Sequence, residues 1–218
     1  MAVKHIYFVR HGQTEGNKRR IHQNADEALT TKGRLQAHHV AHVLETKRIE
    51  VLLSSPYRRA RETATIISDH IRVPFSIEES VVEIRRPDHI YGQTYYSFDT
   101  LVYFFKLFKD REHPRWDFAG AENMFALRNR IEDIKAKIAA MEEDNIAIVS
   151  HDVFMNLFLE HVCRERKLTL QEFLQIILKV KRTPNTGVIH ISYNNAAAKG
   201  TCPWTLEEFI NPKPNSHA

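Results

Sequence analysis

The chain has 218 residues, 43% of them hydrophobic, and a formal charge of +4 at pH 7. That length and apolar content suit one large domain (residues 1–218), or one domain carrying a small insertion, with enough chain to bury a sizeable core. No apolar run is long enough to span a bilayer and no apolar segment follows Met1-Ala2-Val3-Lys4, so a soluble, cytoplasmic protein without a membrane partner is expected.

The first element is a strand-like run, Lys4-His5-Ile6-Tyr7-Phe8-Val9, which delivers Arg10-His11-Gly12 into a loop followed by Gln13-Thr14-Glu15-Gly16-Asn17. Gly12 has no Cβ, so the sequence suggests a sharp turn there and close approach of a ligand. Thr30 can cap a helix on which Ala37, Val40, Ala41 and Leu44 recur at helical spacing. Val51-Leu52-Leu53 reads as a short buried strand ending in Ser54-Ser55-Pro56. Ala60, Ala64, Ile67 and Ile71 then mark a helix from about Arg58 to His70. Val73-Pro74-Phe75 suggests another short strand.

Residues 86–120 break the alternation. They hold Tyr91, Tyr95, Tyr96, Phe98, Tyr103, Phe104, Phe105 and Phe108, and read as an inserted aromatic-rich helical segment. Ordinary packing explains such aromatics, and a lid that shapes an organic pocket is the sharper alternative. After Gly120, Met124, Leu127, Ile131, Ile134, Ile138 and Met141 form one apolar helical stripe. Ile146-Ala147-Ile148-Val149 is a buried strand closed by Ser150-His151-Asp152, and Phe154, Leu157, Phe158 and Val162 suggest a further helix. Gly187–Tyr193 alternates as a strand, with Trp204–Phe209 as a candidate pair for it, and the tail from Asn211 is expected to be poorly ordered.

Strands alternating with helices predict a three-layer α/β/α sandwich on a mainly parallel central sheet. In such sheets ligands bind at the carboxyl edge of the strands. Three strand-to-helix junctions place Arg10 and His11, Arg59, and His151 at that edge. Guanidinium forks and free N–H groups at helix N-termini suit phosphate oxygens. The basic clusters Lys18-Arg19-Arg20, Arg58-Arg59 with Arg61, Arg85-Arg86 and Lys179-Val180-Lys181-Arg182 carry no ordered nucleic-acid motif. They read as solubilising charge or as the lining of an anion-attracting cleft, and no nucleic-acid partner is expected. Cys163 and Cys202 lack Cys-x-x-Cys or metal spacing and are expected to be reduced thiols. His38 and His42, four apart, share a helix face with His39 beside them, but no matching carboxylate or cysteine signature accompanies them, so neither a metal nor another cofactor is expected.

Taken together, Arg10-His11-Gly12-Gln13-Thr14 with Asn17, Leu29-Thr30 with Gly33 and Gln36-Ala37, Ser54-Ser55-Pro56 with Arg59-Ala60 and Thr63-Ala64, Glu83, Gly120 with Glu122 and Arg130, and Val149-Ser150-His151 resemble the histidine phosphatase superfamily, the phosphoglycerate mutase-like proteins. The resemblance implies a transient phosphohistidine on His11, phosphate contacts from Arg10, Asn17, Arg59 and His151, and Glu83 as proton donor and acceptor. Glu78 and Glu79 are rivals for that last role. Thr14, Gln23 and Arg86 are candidate substrate contacts. Where family members often carry a glycine pair after the second histidine, this chain has Asp152-Val153, and Asn24 stands near where a glycine is common.

The resulting expectation is a metal-independent phosphomonoesterase of the histidine acid phosphatase type, acting on a small phosphorylated metabolite. A phosphoglycerate mutase is the alternative enzyme, and a non-catalytic phospho-ligand binding protein is the alternative of another class. The oligomeric state is not legible in the sequence.

Overall fold

β1 (Lys4–Arg10) shows why the sheet is buried on both sides. Its side chains alternate between faces with period two. Ile6 and Phe8 enter one apolar cluster, Tyr7 and Val9 the other. A strand hydrophobic on both faces belongs inside a sheet covered by helices on each side. This is a computed structural model, describing residues 3–109, 113, 115–163, 169–177, 183–198 and 200–212. The basic run at 179–182 and residues 213–218 of the tail lie outside them.

The remaining elements follow in order: α1 (Glu15–Arg19), α2 (Thr31–Glu45), β2 (Val51–Ser54), α3 (Arg58–Ile71), β3 (Phe75–Ile77), α4 (Phe98–Lys109), α5 (Met124–Ala140), β4 (Asn145–Ser150), α6 (Asp152–His161), α7 (Leu170–Ile177), β5 (Val188–Tyr193) and β6 (Trp204–Ile210). The strand order is β3-β2-β4-β1-β5-β6. β3, β2, β4 and β1 pair in parallel, while β5 is antiparallel to both β1 and β6. The sheet is therefore mixed, its parallel part lying where the sequence placed it. α2 and α3 cover one face through Val40, Leu44, Ala60 and Ile67. Helices α4 to α6 cover the other through Tyr103, Leu127, Ile134 and Phe154.

Local sequence sets the element ends. The Thr30 hydroxyl accepts from the Gly33 N–H and caps α2, and Asn123 caps α5 through the Ala126 N–H. Such caps supply partners for N–H groups that a helix start leaves unsatisfied. The short α1 has no apolar period to announce it and rests on a capping box between Thr14 and Asn17.

The thiol expectation is corrected: Cys163 and Cys202 form a disulfide, with Cα atoms 5.4 Å apart. The 39-residue separation hides this pairing. The return of the chain through β5 into β6 lays Cys202 beside the end of α6. Among the described residues, no helix is long and apolar enough to cross a membrane.

Candidate active site

Parallel pairing brings the junctions together before any side chain is considered. Arg10 pairs with Ser150, and Ser54 with Val149. The His11 N–H donates to the Ser150 carbonyl (3.0 Å) and the Ser55 N–H to the Val149 carbonyl (3.0 Å). The ladder thus continues one residue beyond each strand and fixes the backbone on which Arg10, His11, Ser55 and His151 are carried.

The His11 ring is oriented by its own neighbour: Nδ1 lies 2.8 Å from the Gly12 carbonyl oxygen. A carbonyl only accepts, so Nδ1 carries a proton, and in the neutral ring the lone pair is then on Nε2. Gly12 is needed for a different reason from the one its sequence suggests. A Cβ there would overlap the backbone of Gly33, and a Cβ on Gly33 would overlap that of Gln13. Two glycines let this loop lie flat against the start of α2, so the close approach is of backbone to backbone. The Gly12 N–H also donates to Thr63 Oγ1 (3.1 Å), whose hydroxyl is held by the Arg59 carbonyl (2.7 Å).

Around this ring stand three buried guanidiniums. Arg10 donates through Nη1 to the Thr183 carbonyl (2.5 Å) and lies 3.5 Å from Asp152 Oδ2. Arg59, 2% exposed, donates through Nη1 to the Asn24 carbonyl (2.6 Å), and Arg86 does so to the Ile84 carbonyl (3.2 Å). In all three the Nε is buried without a hydrogen-bond partner. Buried polar groups are nearly always satisfied, so three such donors in one place point to an anion as the partner. Burial lowers the Arg59 pKa to about 10, which still leaves it charged at neutral pH.

His151 caps this group from below, its ring centroid 5.2 Å from that of His11. Its Nε2 is 2.8 Å from Ser55 Oγ, and Nδ1 is buried without a hydrogen-bond partner. Ser55 Oγ accepts from the Tyr57 N–H (3.4 Å), which leaves its own proton for His151 Nε2. Burial first, then the charge of Arg59, hold the His151 pKa well below the usual histidine value. The ring is neutral at pH 7.

Arg10, His11, Asn17, Gln23, Arg59, Glu83, Arg86 and Asp152 line one narrow polar cleft with His22 and Tyr95. Glu83 is held at the start of α6, accepting from the Phe154 N–H (3.1 Å) and, more weakly, from the Val153 N–H (3.3 Å). Its rival Glu78 is engaged elsewhere by Lys137 and Ser80, and Glu79 is exposed. Thr14 does not face the cleft. It is fully buried, and its hydroxyl donates to Gln23 Oε1 (2.7 Å), so it supports a lining residue. Asp152 narrows the cleft at Arg10 and is steadied by the Thr183 N–H (3.1 Å).

Sequence reasoning missed Asn185, whose amide donates to the His11 carbonyl (3.1 Å) and to Asn17 Oδ1 (2.9 Å). The signal was the Thr183-Pro184-Asn185-Thr186-Gly187 turn feeding a strand that pairs with β1. His22 was also missed, since its place depends on loop contacts with 92–95. The Gly92 N–H donates to the His22 carbonyl, and the His22 N–H to that of Gln93.

Fold and cleft together define an α/β domain with a narrow polar cleft at the carboxyl edge of its sheet, rich in buried guanidiniums and set beside two imidazoles. The family profile of the histidine phosphatase superfamily (branch 1) matches residues 6–199, and the chain belongs to that superfamily. It is 30% identical over 145 residues to a glucosyl-3-phosphoglycerate phosphatase of Mycolicibacterium vanbaalenii, a match covering 66% of this chain and 64% of the relative. It is 25% identical over 214 residues to a probable phosphoglycerate mutase of Proteus mirabilis, covering 94% of this chain and 89% of the relative. Among solved structures, a mycobacterial glucosyl-3-phosphoglycerate phosphatase superposes with a TM-score of 0.73 at 21% identity, over 94% of this chain and 98% of that one.

Proposed function

We propose that the protein is a phosphomonoester hydrolase that acts on a small phosphorylated metabolite through a phosphohistidine at His11, with arginine side chains supplying the charge that a metal supplies elsewhere. The observation that carries this reading is the His11 tautomer. The Gly12 carbonyl holds the proton on Nδ1, and the lone pair on Nε2 belongs to a cleft shared with Arg10, Arg59 and Glu83.

In the first half-reaction Nε2 attacks phosphorus and the bond to the ester oxygen breaks. Glu83 gives that oxygen a proton, and the alcohol departs. Arg10 and Arg59 hold the equatorial oxygens as charge develops there, an effect worth a factor of about 10² to 10³ per well-placed donor. His151, protonated on Nδ1 when Ser55 donates to Nε2, offers a neutral donor to the same group. In the second half-reaction the Glu83 carboxylate takes a proton from water, the water oxygen attacks phosphorus, and the N–P bond breaks to release inorganic phosphate. Arg86, the third buried guanidinium of the cleft, faces the substrate beyond the phosphoryl group.

Hydrolysis is favoured over a mutase by Asp152, whose carboxylate faces the cleft beside Arg10 and disfavours a second anionic group there. The relatives named as phosphatases support the same reading. The test is a screen of small phosphomonoesters for phosphate release without added metal, with His11→Ala as control and acid quenching to trap an acid-labile phosphoenzyme. Turnover and the trapped species are expected in the wild type alone. Equal release by both proteins removes His11 as nucleophile. Phosphoryl exchange between hydroxyls of phosphoglycerate that outpaces hydrolysis makes the protein a mutase, and phosphate-ester binding without turnover makes it a binding protein.

A further inference from the structure

We propose that His42, Glu45 and His70 form a surface site for a divalent first-row transition ion, with Zn²⁺ the ion its donor set suits best. The site is remote from the cleft. His42 and Glu45 lie in the last turns of α2, and His70 lies in the last turn of α3. Eleven residues of α3 separate His70 from Arg59, about 16 Å at the rise of an α-helix. The inference does not rest on the phosphatase reading.

Three observations carry it. One donor atom from each residue lies within 4.8 Å of the other two. Glu45 Oε2 is 3.0 Å from His70 Nε2 and 3.8 Å from His42 Nδ1. Zn–N and Zn–O bonds of about 2.0–2.1 Å in a tetrahedron separate ligand atoms by about 3.4 Å, so the two spacings bracket what zinc requires. The imidazole rings of His42 and His70 stand edge to face at 74° with centroids 4.3 Å apart, so they are not stacked, and a small rotation of the exposed His42 ring would open the angle that two ligands of one ion need.

The scaffold suits a cation as well. Residues 42 and 45 sit three apart and share a helix face, while His70 comes from the neighbouring α3, which packs alongside. Both helices end here, and their carboxyl ends carry partial negative charge that favours a bound cation. Two imidazoles and one carboxylate are borderline donors that zinc and its neighbours prefer to magnesium or calcium. His42 and Glu45 are exposed and His70 is half-buried, so an ion reaches them without opening the fold. With three protein ligands, water fills the fourth position. The site would act as a staple between α2 and α3.

The test is equilibrium dialysis with Zn²⁺ at neutral pH, paired with the visible spectrum of the Co²⁺ form and thermal unfolding with and without Zn²⁺. One Zn²⁺ per chain is expected, with a tetrahedral Co²⁺ spectrum and a midpoint raised by roughly 5 °C at saturation. Glu45→Gln should weaken binding by about tenfold or more. The His42→Ala/His70→Ala double variant should lose both the ion and the thermal shift. His38→Ala, one turn away, and His11→Ala in the cleft should keep both. Absence of stoichiometric binding to the wild type overturns the proposal. So does binding that survives in the double variant but disappears with His11→Ala.

Discussion

The end of the cleft proposed to hold phosphate and the aromatic segment beside it, a candidate cover, are built on opposite principles. At the phosphate end, Arg10, His11 and His151 ride on strand ends whose backbone groups are tied to neighbouring strands, and every one of these side chains is buried. The candidate cover is a short 3-10 turn at Asp88–Ile90 followed, after a loop, by α4. Tyr103, Phe104 and Leu107 anchor α4 in the core, while Phe98, Leu101 and Phe105 point outward. The segment meets the cleft through loop hydrogen bonds, such as Tyr95 N–H to the Arg20 carbonyl (3.1 Å), and through Thr100 of α4, whose Oγ1 lies 3.0 Å from His22 Nε2. On the proposed function, phosphoryl chemistry would have the fixed geometry of strand ends, and recognition of the rest of the substrate would fall to a surface carried on loops and α4.

The sharpest way to break this contrast is His11→Ala. Removal of a nucleophile is expected to lower kcat by on the order of 10⁴ or more. The fold should persist, because the backbone ties of residue 11 do not involve its ring. Steady-state phosphate release and circular dichroism check both halves. Activity within tenfold of wild type would place the chemistry elsewhere.

Next in size is Arg59→Ala, expected to cost about 10² to 10³ in kcat/KM. Arg59→Lys should recover little of it, since an ammonium cannot reproduce a planar fork whose Nη1 is fixed on Asn24 while Nε faces an anion. The same substitutions should abolish the rise in unfolding midpoint that inorganic phosphate gives the wild type, which is expected because the anion supplies the missing partner. Full recovery by lysine would mean that charge alone, without the fork, suffices at this position.

Much of the phosphate end was legible because it is written in strand-to-helix junctions. Arg10-His11-Gly12, Arg59 and Ser150-His151 each follow an apolar run, and parallel pairing must bring such junctions to one edge. Thr14 was ambiguous because capping and ligand contact use the same hydroxyl, and its part in the capping box of α1 appears only in the fold. Gly12 looked like space for a ligand because Gly33, the backbone it accommodates, lies 21 residues further on. Asn185 and the Cys163–Cys202 bridge depend on β5 running antiparallel to β1 and to β6, and the turn at 183–187 marks the strand start without showing which strand it joins.

A smaller effect tests the buried floor of the site. His151 is kept neutral in the folded chain by burial and by Arg59, His11 and Arg10, whereas in the unfolded chain it takes a proton near pH 6.5. Below that pH the unfolded state binds more protons. His151 therefore contributes stability that is present above about pH 6.5 and is lost as pH falls toward its folded pKa. The slope reaches at most about 1.4 kcal/mol per pH unit. Urea unfolding from pH 7.5 to 5 should show this loss in the wild type and a shallower one in His151→Asn. Identical slopes would show that the ring titrates alike in both states.

The smallest expected effect comes from the outer face of the cover. Phe98 is 78% exposed at the start of α4, so Phe98→Ser removes little buried area and leaves no polar group stranded. Stability should change by no more than about 0.5 kcal/mol, and kcat with a minimal aryl phosphate should stay within about twofold. Tyr103→Ala, five residues on and fully buried, should instead cost about 3–5 kcal/mol. The pair separates two views of the aromatic segment. If its outer ring shaped the chemistry, the serine variant would lose kcat while remaining folded. If the segment holds the cleft only through its inner face, activity should follow Tyr103 and ignore Phe98, so that the cover acts by being anchored and its outward aromatics stand apart from phosphoryl transfer.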